Sequence, residues 1–335
     1  MTSSAPQNTH NLRFVTSVYG EKYGGMLLAL LYSIHTSHPK AKATIFWRDV
    51  TPATRLLEKA FSEFDFIDIS HPIDGTFISR IAHKTVLWAE AARRHAGENL
   101  IFVDVDMLVR KDVEHFFSED FDLAFTYKDS EIYPINTGTF LTRGTATTAA
   151  FFDRWEKETK KIMQDKELLR RATIHDFPYG APDQMAFYEM IQYQKGKKRY
   201  QVTIEGTQLS CAGFPCERLN ETNSVPITET TAIIHYKGGW HNILLNGRGF
   251  TFRRPRGASW EMYFFYIKTY EDAVRYVSDV LGQTFSIKKF GVKKHFYLSK
   301  KLRVSNLLRV IFDLWQKVMG PVYVVYDRAR RKLSV

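Results

Sequence analysis

Residues 100–109 read LIFVDVDMLV, and this stretch decides the fold class. The apolar run Asn99–Val103 predicts a strand buried on both faces. Asp104 and Asp106 follow at its carboxyl end, where two carboxylates one residue apart can bind one hard divalent cation if the turn rotates the second side chain back. Such a cation keeps open positions for phosphate oxygens. A lone Asp-x-Asp also arises by chance, with Asp106 as a simple cap of the turn.

Strands and helices alternate on both sides of this stretch. Upstream, the pattern predicts strands over 12–18, 43–47 and 66–69 and helices over 26–34, 51–61 and 81–95. Downstream, it predicts strands over 122–127, 139–142, 232–236 and 250–255 and helices over 149–163, 184–194 and 260–281. This alternation predicts an α/β fold with a mixed, mainly parallel sheet and helices on both faces. In such sheets, ligands bind beyond the carboxyl ends of the strands.

A second polar motif lies more than 100 residues downstream. His235 opens the pattern His-x-x-Gly-x-x-His, which continues through Gly238 to His241. A neutral imidazole can be the third protein ligand of a cation already held by carboxylates. Glycine at Gly238 lets backbone amides approach a phosphate, and Lys237 or His241 adds positive charge. A histidine at a strand end is by itself more often only hydrogen-bonded, so the combination with the aspartates carries the prediction.

The net charge is confined to one end of the chain. The 335 residues are 44% hydrophobic and 25% charged, values typical of one large or two modest globular domains. Residues 286–335 hold 13 Lys or Arg and two acids, which equals the whole net charge of +11, so residues 1–285 are formally neutral. A neutral body with a basic end indicates a local electrostatic contact, and we expect no nucleic acid partner.

The basic end also carries an apolar stripe at helical spacing. The stripe consists of Leu307, Leu308, Ile311, Leu314, Trp315 and Val318. A basic amphipathic helix of this kind can lie on an anionic membrane surface, although the same stripe can also pack on the body of the protein. We expect a polar segment at 1–11, a domain at 12–285 and a basic amphipathic helical region at 286–335.

Cysteine content and the first residues bear on the cellular location. Cys211 and Cys216 are the only cysteines, too few for a disulfide framework and without a second pair of zinc ligands. Residues 1–10 lack the basic and apolar regions of a secretory leader. We therefore expect a cytoplasmic protein, placed by its basic end on the cytosolic face of a membrane.

The motifs, taken in order, resemble those of GT-A-fold (Rossmann-like) glycosyltransferases, and most closely the glycogenin and lipopolysaccharide galactosyltransferase group of family 8. The similarity covers roughly residues 12–245. The shared pieces are Val15-Thr16-Ser17, Lys84-x-x-Leu87-Trp88, the stretch at 100–109, Asn136-Thr137-Gly138, Asp183-Gln184 and His235-x-x-Gly238. The sequence departs from the group at one motif. The group usually shows His-x-x-Gly-x-x-Lys-Pro-Trp, whereas this chain has His241-Asn242-Ile243 in place of Lys-Pro-Trp.

The resemblance implies a metal-dependent transferase that moves a sugar from a nucleotide-diphosphate donor, a UDP-sugar, to a glycan or lipid-linked acceptor with retention of configuration. It implies that Asp104, Asp106 and His235 bind Mn²⁺ or Mg²⁺. The donor-binding residues it implies are Thr16, Ser17, Lys84, Asp104, Asn136, Thr137, Gly138, Lys237, Gly238 and His241. Asp183 and Gln184 are the expected catalytic residues.

Several of these residues have simpler explanations. Lys84 can be a solvated surface lysine, Asn136 can start a strand, and Asp183 can cap a helix. Three other functions stay open: a cytosolic transferase with a soluble acceptor, a phosphatase of the haloacid dehalogenase type with Asp104 as nucleophile, and a non-enzymatic membrane- or RNA-binding scaffold. The phosphatase motif normally lies near the N-terminus and continues to Thr or Val, where Leu108 stands here.

Overall fold

The computed structural model describes residues 11–71, 73, 75–128, 131, 133–173, 179–220, 227–237, 244 and 260–287. Gly238, His241, the strand expected at 250–255 and nearly all of the basic region 286–335 lie outside the described residues. Within the described part, no helix combines the length and the apolar character that crossing a membrane requires.

Ten strands are described: β1 Leu12–Tyr19, β2 Lys42–Arg48, β3 Asp65–Asp68, β4 Asn99–Val103, β5 Met107–Val109, β6 Leu123–Tyr127, β7 Ile135–Arg143, β8 Arg199–Ile204, β9 Thr207–Pro215 and β10 Ile233–His235. Nine α-helices are described: α1 Gly24–Ser37, α2 Pro52–Arg55, α3 Leu57–Ala60, α4 Phe77–Arg94, α5 Ala146–Gln164, α6 Lys166–Thr173, α7 Pro182–Met190, α8 Cys216–Leu219 and α9 Trp260–Leu281. Short 3₁₀ turns occupy Glu21–Tyr23 and Glu114–Ser118.

Eight strands form one mixed sheet in the order β3-β2-β1-β4-β7-β6-β9-β8. Strands β3, β2, β1 and β4 run parallel to one another, and β6 runs parallel to β9. The pairs β4–β7, β6–β7 and β8–β9 are antiparallel. The predicted mixed, mainly parallel sheet is therefore confirmed, and a separate two-stranded ladder pairs β5 with β10.

Apolar side chains cover both faces of the sheet, as the alternation predicts. On one face, α1 packs against the sheet and α9 packs against α1. On the other, α4, α5 and α7 pack together around Trp88, Trp155 and Phe187, all fully buried. Helix α4 begins where the Thr76 hydroxyl accepts a hydrogen bond from the Ser79 amide, which satisfies one of the amides left free at a helix start.

Some elements differ from their predicted bounds. The helix expected at 51–61 is two short helices, because the Leu56 amide bonds Ala53 three residues back and tightens the turn between them. Helix α6 and the hairpin of β8 and β9 were not predicted. The hairpin turns at Glu205-Gly206, both with positive φ, which is the geometry of a two-residue turn between antiparallel strands.

The motif at 136–138 lies inside β7, which begins four residues before the strand predicted at 139–142. Thr126 of β6 pairs with Asn136, whereas the preceding Phe125 pairs with Phe140, so residues 137–139 have no partner on β6. A bulge of this kind bends a strand and re-aims its side chains, and it is common beside functional sites. The bulge brings Thr137 and Gly138 to the end of β4.

Candidate active site

The two aspartates lie in the tight turn that joins β4 to β5. The Asp104 amide donates to the Gly138 carbonyl at 3.0 Å, and the Met107 amide donates to the Asp104 carbonyl at 3.2 Å. The first bond continues the contact of β4 with β7 by one residue, and the second reverses the chain within three residues. The reversal returns Asp106 toward Asp104, which is the rotation that shared binding of one cation requires.

The ladder of β5 and β10 brings His235 to this turn. His235 pairs with Met107, and the next amide, that of Tyr236, donates to the Asp106 carbonyl at 2.8 Å. The His235 Nε2 atom lies 3.1 Å from an Asp106 carboxylate oxygen and 4.0 Å from one of Asp104. One ligand atom from each of the three side chains lies within 4.8 Å of the others. The structure thus brings together three residues that are far apart in the sequence.

Lys84 of α4 lies between two carboxylates behind the turn. Its ammonium nitrogen is 3.2 Å from an Asp104 oxygen and 3.3 Å from an Asp183 oxygen. It also donates to the Thr137 carbonyl at 3.1 Å. Lys84 is 9% exposed, so it is not the solvated surface lysine of the simpler explanation.

Asp183 is buried at the start of α7. Its side chain makes no capping bond, since Ala181 is the N-cap residue and has none, so the capping explanation is wrong. One carboxylate oxygen accepts from the Thr137 hydroxyl at 2.6 Å. The other is buried and has no hydrogen-bond partner among the described residues. A buried carboxylate oxygen in that state is costly unless a ligand group satisfies it.

The charges of the site shift one another's ionisation. Burial opposes the charge of Lys84, but Asp104 and Asp183 outweigh it, so the pKa of Lys84 is raised. Burial raises the pKa of Asp104, and the charges of Lys84 and His235 offset part of that rise. Burial lowers the pKa of His235, with a partial offset from Asp106, and so favours the neutral imidazole that metal binding requires.

The other expected site residues lie at several places around this turn. The Asn136 side-chain oxygen accepts from the Gly138 amide at 2.9 Å, within its own strand. Gln184 donates through Nε2 to the Tyr179 carbonyl at 2.6 Å. Lys237 follows β10, and burial together with Lys128 lowers its pKa to about 8.

Thr16 and Ser17 lie on β1, whose pairing with β4 reaches as far as Val15 and Phe102. The Thr16 hydroxyl is buried and has no hydrogen-bond partner in the described part of the chain. Ser17 is only partly buried. The structure gives no contact between this pair and the three-residue cluster.

Two polar residues behind His235, Asn220 and Thr126, carry no signal in the sequence. Asn220 follows α8, is fully buried, and contacts the His235 Nδ1 atom through its side-chain oxygen at 2.7 Å. Its amide nitrogen donates to the Thr126 hydroxyl at 2.8 Å. No periodicity or motif marks either residue, so only the folded arrangement reveals them.

Residues 93–240 match a family described as nucleotide-diphospho-sugar transferase. The matched region contains the whole cluster of Asp104, Asp106 and His235. This match supports a glycosyltransferase that uses a nucleotide-sugar donor. No curated protein sequence matches the chain. The matched description is that of a transferase, so it favours this function over the phosphatase and scaffold alternatives.

Two solved glycosyltransferase structures are similar to this chain. The glycosyltransferase GlyE of Streptococcus pneumoniae TIGR4 has a TM-score of 0.52 at 11% identity, over 84% of this chain and 66% of GlyE. The galactosyltransferase LgtC, solved in complex with donor and acceptor sugar analogs, has a TM-score of 0.46 at 14% identity, over 78% of this chain and 95% of LgtC. At 11% identity, the similarity to GlyE shows the GT-A fold of this chain and nothing about its substrates.

Proposed function

We propose that the protein transfers a sugar, with the help of a divalent cation, from a nucleotide-diphosphate donor to a glycan or lipid-linked acceptor. The observation that carries this proposal is the cluster of Asp104, Asp106 and His235 at the carboxyl end of β4, backed by the buried Lys84. The region 12–285 is the proposed transferase domain, preceded by 1–11 and followed by the basic region 286–335.

The side chains of the cluster fit a divalent cation. Two carboxylates and one neutral imidazole are ligands that Mn²⁺ accepts, and Mg²⁺ accepts the carboxylates. Asp104, Asp106 and His235 would hold the ion. When bound, it would neutralise the negative charge that develops on a diphosphate leaving group.

Lys84 and Asp183 would act on the donor sugar. The Asp183 oxygen without a described partner supports a role as acceptor for a sugar hydroxyl. Lys84 contacts both Asp183 and Asp104, and it would supply a positive charge beside a bound diphosphate. The buried, unpartnered hydroxyl of Thr16 supports a contact to the nucleoside.

Gln184 would lie against the reacting carbon of the donor sugar. Its bond to the Tyr179 carbonyl uses the amide nitrogen, which leaves the amide oxygen as the group offered to the sugar. We expect transfer with retention of the anomeric configuration, since the motifs resemble those of a retaining group. NMR of the freshly formed product tests this expectation, and an inverted anomeric centre would contradict it.

The basic region supports an acceptor on the cytosolic face of a membrane. Residues 286–335 combine 13 basic residues with an apolar stripe, a composition suited to an anionic lipid surface. A lipid-linked acceptor would lie at that surface. A soluble acceptor is the alternative if the region does not bind lipid.

Release of nucleoside diphosphate tests the transferase proposal. The full-length protein is incubated with a panel of nucleotide sugars and Mn²⁺ or Mg²⁺, with a UDP-sugar expected as the best donor. We expect EDTA to stop the release of nucleoside diphosphate. We also expect Asp106→Asn to abolish the release without lowering the melting temperature by more than a few degrees. Full turnover of Asp106→Asn in EDTA would refute the role of the cation.

A further inference from the structure

The two ring nitrogens of His235 contact different residues, one at the site and one in the core. The His235 Nε2 atom faces Asp106, and its Nδ1 atom faces the side-chain oxygen of Asn220 at 2.7 Å. Asn220 has no exposed surface. The Nδ1 end of the imidazole is therefore bonded to an amide on the side of the core, and its Nε2 end faces the carboxylates of the site.

The hydrogen bonds behind Asn220 fix which way its amide points. A backbone carbonyl can only accept, so the Thr126 hydroxyl donates to the Asn136 carbonyl at 2.9 Å. Having used its proton there, the Thr126 oxygen accepts from Asn220 at 2.8 Å, and the group facing Thr126 is the NH₂. The oxygen of Asn220 is thereby directed at His235.

The Asn220 oxygen in turn determines which ring nitrogen of His235 carries the proton. An amide oxygen only accepts, so the Nδ1 atom of His235 must carry the proton that lies between them. The neutral ring then has its lone pair on Nε2, toward Asp104 and Asp106. A backbone carbonyl of β7 thus sets the tautomer of a ring two side chains away.

We propose that Asn220 is a positioning residue that holds His235 in the Nδ1–H tautomer, with Nε2 ready to bind the cation. The proposal rests on the cation of the proposed function. Groups that orient a metal-binding histidine typically change metal affinity 10–100-fold when they are removed. Thr126 acts one step further back, because it orients Asn220.

Mn²⁺ affinity of the full-length protein, measured by calorimetry and by electron paramagnetic resonance without substrate, tests this role. We expect Asn220→Leu to weaken Mn²⁺ binding 10–100-fold and Asn220→Asp, which keeps an acceptor opposite Nδ1, to restore it to within severalfold of the parent. Thr126→Val should weaken Mn²⁺ binding, though less than Asn220→Leu does. Thr126→Ser keeps the hydroxyl and should not weaken it. Thr142→Val is the matched control, since Thr142 is a buried threonine at the far end of β7 whose hydroxyl, within the described residues, donates to backbone carbonyls.

The tautomer is measured separately from the metal. In the metal-free protein at pH 8, ¹⁵N–¹H correlation spectra should show His235, assigned through a His235→Asn variant, as the Nδ1–H form, and Thr126→Val should broaden or shift that signal. An Nε2–H form in the parent overturns the proposal, as does parental Mn²⁺ affinity in a folded Asn220→Leu protein. If the parent binds no Mn²⁺, the cation of the proposed function fails, and the spectrum still decides the role of Asn220.

Discussion

Lys84 is the most consequential single charge of the site at the residue scale. It is buried between Asp104 and Asp183 and also lies over the Trp88 ring, 4.9 Å from its centre. Removing one partner from a buried ion pair leaves an uncompensated charge, which typically costs about 3–5 kcal/mol. The side chain therefore serves folding and the proposed chemistry together.

We expect Lys84→Met to lower the free energy of unfolding by about 3 kcal/mol and to remove transferase activity. Urea unfolding and nucleoside diphosphate release measure the two effects. Lys84→Arg keeps the charge and should retain most of the stability, with reduced activity because the guanidinium differs in shape. A Met variant as stable and as active as the parent would contradict this account.

His83 predicts a pH dependence of stability. Burial lowers its pKa to about 4, while an unfolded histidine titrates near 6.5, so the unfolded chain binds more protons between these values. The free energy of unfolding must then fall as the pH drops from about 6.5 to 4, by roughly 2–3 kcal/mol for this group. Melting temperatures across that range should decline less steeply in His83→Asn.

His115 provides the control for this pH series, because it is exposed. The variant His115→Asn should keep the parental decline in melting temperature. Equal slopes in the parent and in His83→Asn would show that the decline comes from other groups. Buried His38 and His95, whose pKa values burial also lowers, would then be the next residues to test.

At the scale of elements, the close approach of β7 to the turn after β4 shapes the site. A Cβ atom at Gly138 would lie 2.6 Å from the Met107 methyl carbon and 2.9 Å from an Asp104 carboxylate oxygen. Both neighbours belong to the turn that carries the aspartates. Only glycine leaves that turn where it is.

We expect Gly138→Ala to reduce Mn²⁺ affinity and transferase activity at least tenfold, because the new methyl group displaces Asp104. The comparison is Gly213→Ala in β9, where a Cβ atom meets the Tyr127 ring at 3.0 Å and touches neither aspartate. That variant should keep its Mn²⁺ affinity. Calorimetry measures the Mn²⁺ affinity of both variants. Unchanged Mn²⁺ binding by Gly138→Ala would contradict the expectation.

The elements that could be predicted are those with a local signal. Strand β4 and the aspartates after it were visible because an apolar run ends abruptly in two acids, and α9 follows its predicted bounds. The bulge in β7 was not visible, since it depends on pairing with β6 and β4. The hairpin at Glu205 was missed because Glu rarely adopts positive φ.

The same distinction holds for the site. Asp104, Asp106 and His235 carry recognisable motifs, so the sequence could nominate them together. Thr126 and Asn220 are 94 residues apart in the chain, and no pattern of either segment refers to the other. Such contacts are properties of the packed molecule.

At the scale of the whole molecule, the charge asymmetry predicts lipid binding. The full-length protein should sediment with anionic vesicles at low salt, since each Lys or Arg near such a surface contributes about 1 kcal/mol. Replacing Lys300, Lys301 and Arg303 by Glu should release it. The matched control replaces three lysines that are exposed on α5, Lys157, Lys160 and Lys161. That replacement should not release the protein from the vesicles.

Protein that stays in the supernatant with anionic vesicles at low ionic strength would contradict the membrane proposal. A soluble acceptor would then be the better hypothesis. If both triple replacements released the protein from the vesicles equally, total charge would determine lipid binding and the position of the basic residues would not.

The ladder of β5 and β10 has a consequence for how the molecule is made. It joins Met107–Val109 to Ile233–His235, so the third candidate ligand arrives more than 120 residues after the aspartates. At a synthesis rate of about 5–20 residues per second, that interval lasts roughly 6–25 s on the ribosome. During it, the nascent chain presents two carboxylates without their imidazole and with β5 unpaired. Under the proposed function, a polypeptide whose translation stops before β10 would lack the third ligand of the cation, however well its earlier strands had folded.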